Sequence, residues 1–329
     1  MTERTYHSKD LSKFSFLITG GAGFIGSHLV EYLIKHNAKK VRILDNLSTG
    51  DLRNIRDFLE RSNVEFIEGD IRNFDTCQAA VAGIDYVSHQ AALGSVPRSI
   101  NDPQTTNDVN IGGFLNMLIA SKEANIKSFV YAASSSTYGD SAELPKQEQR
   151  IGNPLSPYAV TKYVNELYGQ VFSRTYNFHS IGLRYFNVFG PRQNPDGPYA
   201  AVIPLFISEM LKSRSPVING DGDHSRDFTF VSNVVQANIK AMLKQEIDSH
   251  IVINIAFGSQ ISLLNLVEAI NSNLGRNIQP KFGEVRKGDV KHSRADITLA
   301  KTVIDYYPEI DFNQGIATTI SYFRKEEGE

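Results

Sequence analysis

Two rhythms of apolar and polar positions run through the first half of this chain. Short apolar runs alternate with longer segments of helical periodicity. "FSFLITG" (14–20), "VRILDN" (41–46), "VEFIEGD" (64–70), "IDYVSHQAA" (84–92), "KSFVYAASSS" (127–136) and "FHSIGLRYFNVFG" (178–190) read as strands. "GFIGSHLVEYLIKHN" (23–37) and "IGGFLNMLIASKEANI" (111–126) read as helices between them. Strands alternating with helices predict an α/β fold, a Rossmann-like doubly wound parallel sheet covered on both faces.

The texture changes after Gly190. Residues 191–228 are rich in Pro, Gly, Asn and Asp and read as a loop-dominated lobe. "VSNVVQANIKAMLK" (231–244) resumes as a helix and "HIVINIAFG" (250–258) as a strand that rejoins the sheet. The expected organisation is a dinucleotide-binding domain over 14–188 with 229–258, and a smaller C-terminal substrate-binding α/β lobe over 189–228 with 259–329. No internal repeat or low-complexity segment interrupts this order.

Composition narrows the function without naming it. The 329 residues are 41% hydrophobic and 21% charged, ordinary for a soluble globular protein. With 34 basic against 36 acidic side chains and no basic block, a nucleic-acid partner has no support. The single cysteine, Cys77, excludes an internal disulfide framework and fits a reducing, cytoplasmic compartment. The sequence has no signal-peptide pattern and no apolar stretch of membrane-spanning length, so no membrane partner is expected.

The first strand runs straight into "TGGAGFIGSHLVEYL", where Gly20, Gly23 and Gly26 stand at three-residue spacing. Glycines suit a tight turn, close approach to a pyrophosphate, and packing of the next helix on the sheet. That helix's N-terminus then offers free N–H groups and partial positive charge to phosphates. The second strand ends in Asp45, 19 residues after Gly26, placed to accept bonds from an adenosine ribose. An acid there repels a 2′-phosphate and selects NAD over NADP, with Arg42 the one nearby residue that argues the other way. Asp70 and Ile71 close the third strand where an adenine would be capped.

The other chemistry-bearing motif is "SPYAVTK" (156–162). Ser156 then Pro157 is a helix start, which puts Tyr158 in the first turn and Lys162 four residues on, along the same face. A tyrosine near its usual pKa of about 10 is a poor base at neutral pH. A neighbouring ammonium, the helix N-terminus and a nicotinamide cation would each favour its phenolate. Upstream, Ser134 and Ser136 share a strand face by alternation at a sheet's carboxyl edge, where Ser134 can share a proton with Tyr158. Ser135 and Thr137 read as turn residues. No metal site is expected.

Together these motifs resemble the extended short-chain dehydrogenase/reductases of the nucleotide-sugar epimerase type, from "TGGAGFIG" through "YAVTK" to "RKGDVKHSRADI". The resemblance implies a catalytic set of Ser134, Tyr158 and Lys162 with Ser136 in support. It implies an NAD site made by Gly20, Gly23, Phe24, Ile25, Gly26, Asp45, Asn46, Asp70, Ile71, Ala91, Ala92, Tyr158, Lys162 and Tyr185. For a UDP-sugar it implies Asn187 at the diphosphate or sugar, Ala201, Val202 and Asn219 on the uridine side, and Arg226, Arg286 and Asp289 at the diphosphate and ribose. Paired arginine forks suit a diphosphate.

"AALGSVPRSINDP" (91–103) and "RYFNVFGPRQNPDGPYAAVIP" (184–204) are most similar to UDP-N-acetylglucosamine 4-epimerases of bacterial surface-polysaccharide pathways. There Gly94, Ser95 and Gln193 line the sugar pocket. Ser293 holds a position that gates sugar size, serine leaving room for a 2-acetamido group. The same reaction on the acetamido uronate stays open, with Arg98 or Ser95 as candidates for the carboxylate, and 4-epimerisation of UDP-glucose is a less favoured alternative. A 4,6-dehydratase is disfavoured, because Ser135 and Ser136 stand where its family has an Asp-Glu pair. A non-catalytic NAD sensor is disfavoured by the presence of both Tyr158 and Lys162. By resemblance a homodimer forms through helices near 104–124 and 156–176.

Overall fold

A computed structural model describes residues 4–196, 200–244, 247–284 and 291–328. Seven strands form one sheet: β1 (Ser15–Thr19), β2 (Lys40–Asp45), β3 (Val64–Glu68), β4 (Tyr86–His89), β5 (Ser128–Ser134), β6 (Ser180–Tyr185) and β7 (Ile251–Ile255). Their spatial order is β7-β6-β5-β4-β1-β2-β3, every neighbouring pair parallel. The order reverses between β1 and β4, and a crevice opens there at the carboxyl ends of the strands. β1 lies inside the sheet between β4 and β2, and all five of its residues are buried. This matches the expected doubly wound sheet, including the late return of β7.

Helices cover both faces. One face packs against α1 (Phe24–Lys35), through Leu29, Val30 and Leu33, and against α6 (Val231–Leu243), through Val234 and Ile239. The other packs against α2 (Phe74–Val81), α3 (Phe114–Glu123) and α4 (Pro157–Tyr176), with Cys77, Phe114, Met117 and Phe172 in the core. A third core lies beyond the sheet. There Phe189, Phe206, Phe228, Leu266, Ile270, Phe312 and Ile316 join α5 (Val202–Leu211), α7 (Leu263–Leu274) and α9 (Phe312–Glu326). α8 (Thr298–Ile304) instead buries Ala300 and Ile304 in the first core.

Three local expectations differ from the structure. The run 178–190 is not one strand: Asn187 takes a left-handed conformation (φ 36°) and turns the chain. Val188–Phe189 then pairs with Thr229–Phe230 instead of extending β6. The stretch 191–228 is not all loop, because "VIPLFISEML" forms α5, with seven of its residues buried. Its proline sits in the first turn, where a missing N–H costs nothing. Finally, the helical path into α3 begins at Pro103–Asn107 and passes through a π-helical turn at Asp108–Gly113.

Candidate active site

The crevice is a cleft of ≈ 490 Å³ running from the glycine turn to the N-terminus of α4. Gly20 has φ 65°, and a side chain there would begin 2.8 Å from the Ala91 nitrogen. A Cβ on Gly26 would sit 2.1 Å from the Gly20 carbonyl oxygen. Glycine is therefore required at both positions for the turn and helix to approach each other. Gly23 caps α1 with no side-chain bond, so the first-turn N–H groups are left to a ligand. Asp45 accepts N–H bonds from Ala22 and Leu47, both at 2.9 Å, and so braces the turn while lining the cleft. Burial pushes its carboxyl upward.

Arg42 is out of the contest over the ribose. Its Nε donates to Glu65 at 2.9 Å, and its Nη1 donates to the carbonyls of Ala80 and Ala82 at 2.8 and 2.7 Å. Nearby, Asp70 accepts from Asn46 at 2.9 Å and from Arg72 at 2.7 Å. The Arg72 guanidinium holds that carboxyl down to about 2. Glycine turn, free helix N–H groups and an acid unopposed by a cation fit the pyrophosphate and ribose of NAD.

At the reactive end the local sequence does what its residue types dictate. Ser156 Oγ accepts the Ala159 N–H at 3.2 Å, and Pro157 is the first helical residue. Tyr158 and Lys162 consequently face the end of β5. Ser134, the last residue of β5, accepts at Oγ from the Ser136 N–H (3.2 Å) and the Ser136 hydroxyl (2.9 Å). Its own proton is then left to donate to Tyr158, a bond that lowers the tyrosine's pKa, although burial raises it more. Lys162 Nζ donates to the Ala132 carbonyl at 2.7 Å and stands 6.0 Å from the Tyr158 ring centre. Burial brings this lysine down to about 8.

Two details correct the sequence expectation. Ser136 reaches Ser134 because Ser135–Tyr138 is a 3-10 turn, not by strand alternation. Thr137 caps that turn onto the Ser134 carbonyl at 2.8 Å, and Ser135 lines the cleft. Lys162 points its ammonium at a main-chain carbonyl, so the chain's own groups leave Tyr158 a neutral phenol.

Among the sequence-predicted residues, the cleft gathers Gly20, Gly23, Phe24, Ile25, Gly26, Asp45, Asn46, Asp70, Ile71, Ala91, Ala92, Gly94, Ser134, Tyr158, Lys162, Tyr185, Asn187 and Gln193. Asn187 also donates to the Asp227 carbonyl at 3.1 Å. Others lie outside its lining. Ser95 caps the short helix Val96–Asn101 by accepting the Arg98 N–H at 3.2 Å. Ala201 precedes Val202 at the start of α5, and Asn219 ends a short strand, Val217–Asn219, paired with Lys281–Gly283. Arg226 donates to the carbonyls of Ser225 and Lys291, and the Ser293 N–H returns to the Ser225 carbonyl at 3.1 Å. Arg286 and Asp289 lie outside the described residues.

Sequence reasoning missed two residues that shape the site. Asn110, in the π-helical turn, clamps Leu93 by accepting its N–H at 2.8 Å and donating to its carbonyl at 3.2 Å. It also donates to Thr161 at 3.1 Å, tying the loop after β4 to α4. π-Turns concentrate at functional sites, but no local pattern announces one. Asp227 is buried and accepts N–H bonds from Phe257, Gly258 and Ala295 at 3.0–3.2 Å. It thereby fixes the segments flanking Arg226 and Ser293. Among the described residues no cluster of ligating side chains could hold a metal ion, and no helix is long and apolar enough to cross a membrane.

The model of the NAD dependent epimerase/dehydratase family matches residues 16–256. A UDP-N-acetylglucosamine 4-epimerase from Methanobrevibacter ruminantium, solved with UDP-N-acetylmuramic acid, is 41% identical with a TM-score of 0.90. The match covers 95% of this chain and 99% of that one. A UDP-glucuronic acid 4-epimerase from Bacillus cereus, solved with UDP-glucuronic acid and NAD, is 31% identical with a TM-score of 0.88, covering 95% and 99%. A putative UDP-glucose 4-epimerase of Methanocaldococcus jannaschii is 38% identical over 311 residues, 94% of this chain and 98% of the relative.

Proposed function

This chain belongs to the NAD-dependent epimerase/dehydratase family, and from that premise we propose that it inverts carbon 4 of a UDP-N-acetylhexosamine, interconverting UDP-GlcNAc and UDP-GalNAc. The carrying observation is the convergence of Ser134, Tyr158 and Lys162 at one end of a cleft whose other end is the glycine turn and Asp45. NAD bound there supplies a hydride acceptor and donor, and its positively charged ring favours the Tyr158 phenolate. Tyr158 takes the 4-hydroxyl proton while Ser134 turns its O–H from Tyr158 to the substrate oxygen. Lys162, anchored on Ala132, keeps positive charge behind the tyrosine. Once the 4-keto sugar has turned over so that carbon 4 presents its opposite face, Tyr158 gives its proton back to the 4-oxygen while carbon 4 regains the hydride from the bound cofactor.

Arg226 and Asn187, with Arg286 and Asp289, are assigned to the UDP, whose firm hold lets the sugar turn without leaving. The body of 14–188 with 229–258 carries NAD, and 189–228 with 259–329 carries the UDP-sugar. Water elimination is disfavoured, because the carboxylates among the described cleft residues, Asp45 and Asp70, are at the adenosine end. The acetamido group is supported by Ser293, by the open space around Gly94, and by the 41%-identical relative that acts on UDP-GlcNAc. The deciding experiment is incubation with UDP-GlcNAc without added reductant. Appearance of UDP-GalNAc is expected, and failure to convert any UDP-hexosamine or its uronate overturns the assignment.

A homodimer is part of this reading. α4 leaves Val160, Leu167 and Val171 exposed by 46, 42 and 51%, an apolar stripe suited to the same face of a second copy. Light scattering should give twice the chain mass, and Leu167→Arg should halve it.

A further inference from the structure

A closed ring of hydrogen bonds stands behind the reactive end of the cleft, unused by the mechanism above. The Tyr185 hydroxyl donates to Gln90 Oε1 at 3.1 Å. Gln90 Nε2 donates to Asn238 Oδ1 at 3.0 Å, and Asn238 Nδ2 donates back to the Tyr185 oxygen at 2.8 Å. Ser88 braces it, accepting from Gln90 at 2.9 Å and donating to Asn238 at 3.0 Å. The remaining Asn238 proton goes to the Val234 carbonyl at 2.9 Å. Each amide is thus locked in one orientation, and the tyrosine is held as a donor.

Three elements meet in this ring. Gln90 follows β4, Tyr185 ends β6, and Asn238 rises from α6 beneath the sheet, where it is fully buried. Gln90 and Tyr185 both line the cleft, alongside Tyr158 and Lys162. A buried polar network is costly unless complete, and a complete one rigidifies its members. An apolar trio would fill this space without such demands. We propose that Gln90 and Asn238 are positioning residues that fix the Tyr185 ring as the wall holding the nicotinamide end of the cofactor. The inference rests on the cofactor site and not on the identity of the sugar.

The test reads cofactor retention. The holoenzyme and its variants are passed through gel filtration at intervals, and the NAD remaining bound is measured after acid extraction. Gln90→Leu and Tyr185→Phe each break the ring, and each should release NAD about tenfold faster than the parent. If the ring acts through Tyr185, the double variant releases NAD no faster than the faster single one. Multiplying effects in the double variant, or unchanged release from a Gln90→Leu holoenzyme with native melting behaviour, overturns the proposal. Should Gln90→Leu fail to fold, Asn238→Ala paired with Tyr185→Phe runs the same cycle. Because no sugar is turned over, this result stands apart from any failure of the UDP-hexosamine assignment.

Discussion

Arg184 on β6 and Glu166 on α4 form a two-point ion pair, Nε to Oε1 at 2.8 Å and Nη2 to Oε2 at 2.7 Å, with both side chains almost fully buried. Arg184 also donates to the Glu148 carbonyl at 3.0 Å and lies over the Tyr138 ring at 4.8 Å. Glu166 is one turn beyond Lys162, so this pair sets the register of the catalytic helix against the sheet. Bidentate geometry and the extra acceptor satisfy the guanidinium that burial would otherwise penalise.

Removing one partner should therefore be severe. Glu166→Gln leaves a buried guanidinium without its counter-charge, and a loss of about 3–5 kcal/mol is expected in urea unfolding. Replacing both by Met and Leu should restore much of that stability without restoring full turnover, since the apolar pair lacks the directional register.

Gly26→Ala tests the nucleotide end. Its Cβ would meet the Gly20 carbonyl at 2.1 Å, which the turn can relieve only by moving α1 off the sheet. Purified protein should carry no NAD, as read by absorbance and by acid extraction, whereas Gly94→Ala, with open space around its position, should retain it.

Asp227→Ala probes the far lobe. Its carboxylate collects the N–H groups of Phe257, Gly258 and Ala295, and neighbours Arg226 in sequence. With those segments unpinned, KM for the UDP-sugar should rise at least about tenfold while NAD content stays near one per chain. An unchanged KM would show that Asp227 serves folding alone.

The residues that announced themselves did so through local rules. Ser156–Pro157 reads as a helix start because capping and a fixed φ act within four residues, and Gly20, Gly23 and Gly26 read as a turn for the same reason. The parallel, helix-covered sheet followed from the βαβ alternation. What stayed hidden depends on distance along the chain. The Gln90–Asn238 bond joins residues 148 positions apart, and Asn110 clamps a loop 17 positions upstream. Strand alternation would bring Ser136 to Ser134 only if β5 ran two residues further, whereas the 3-10 turn at Ser135–Tyr138 does so instead. α5 was hidden by the Pro- and Gly-rich segments on either side of an apolar run.

Lys162 brings stability and function into opposition. Burial lowers its pKa from 10.5 to about 8, so between those values the unfolded chain binds a proton that the folded chain does not. More protons on the unfolded state means stability rises with pH through that window, and below about 8 the folded protein carries the full cost of a buried ammonium. The gap corresponds to about 3 kcal/mol, of which the Ala132 bond at 2.7 Å offsets a part. Lys162→Met should then abolish epimerisation yet melt higher than the parent at pH 7 in the cofactor-free form. The advantage should shrink from pH 8 upward and be gone only above 10.5, where the parent's lysine is neutral in both states. Paired thermal melts of the two proteins across pH 6 to 10.5 decide it: a variant less stable than the parent at pH 7 would mean that Lys162 is held by more than the Ala132 carbonyl.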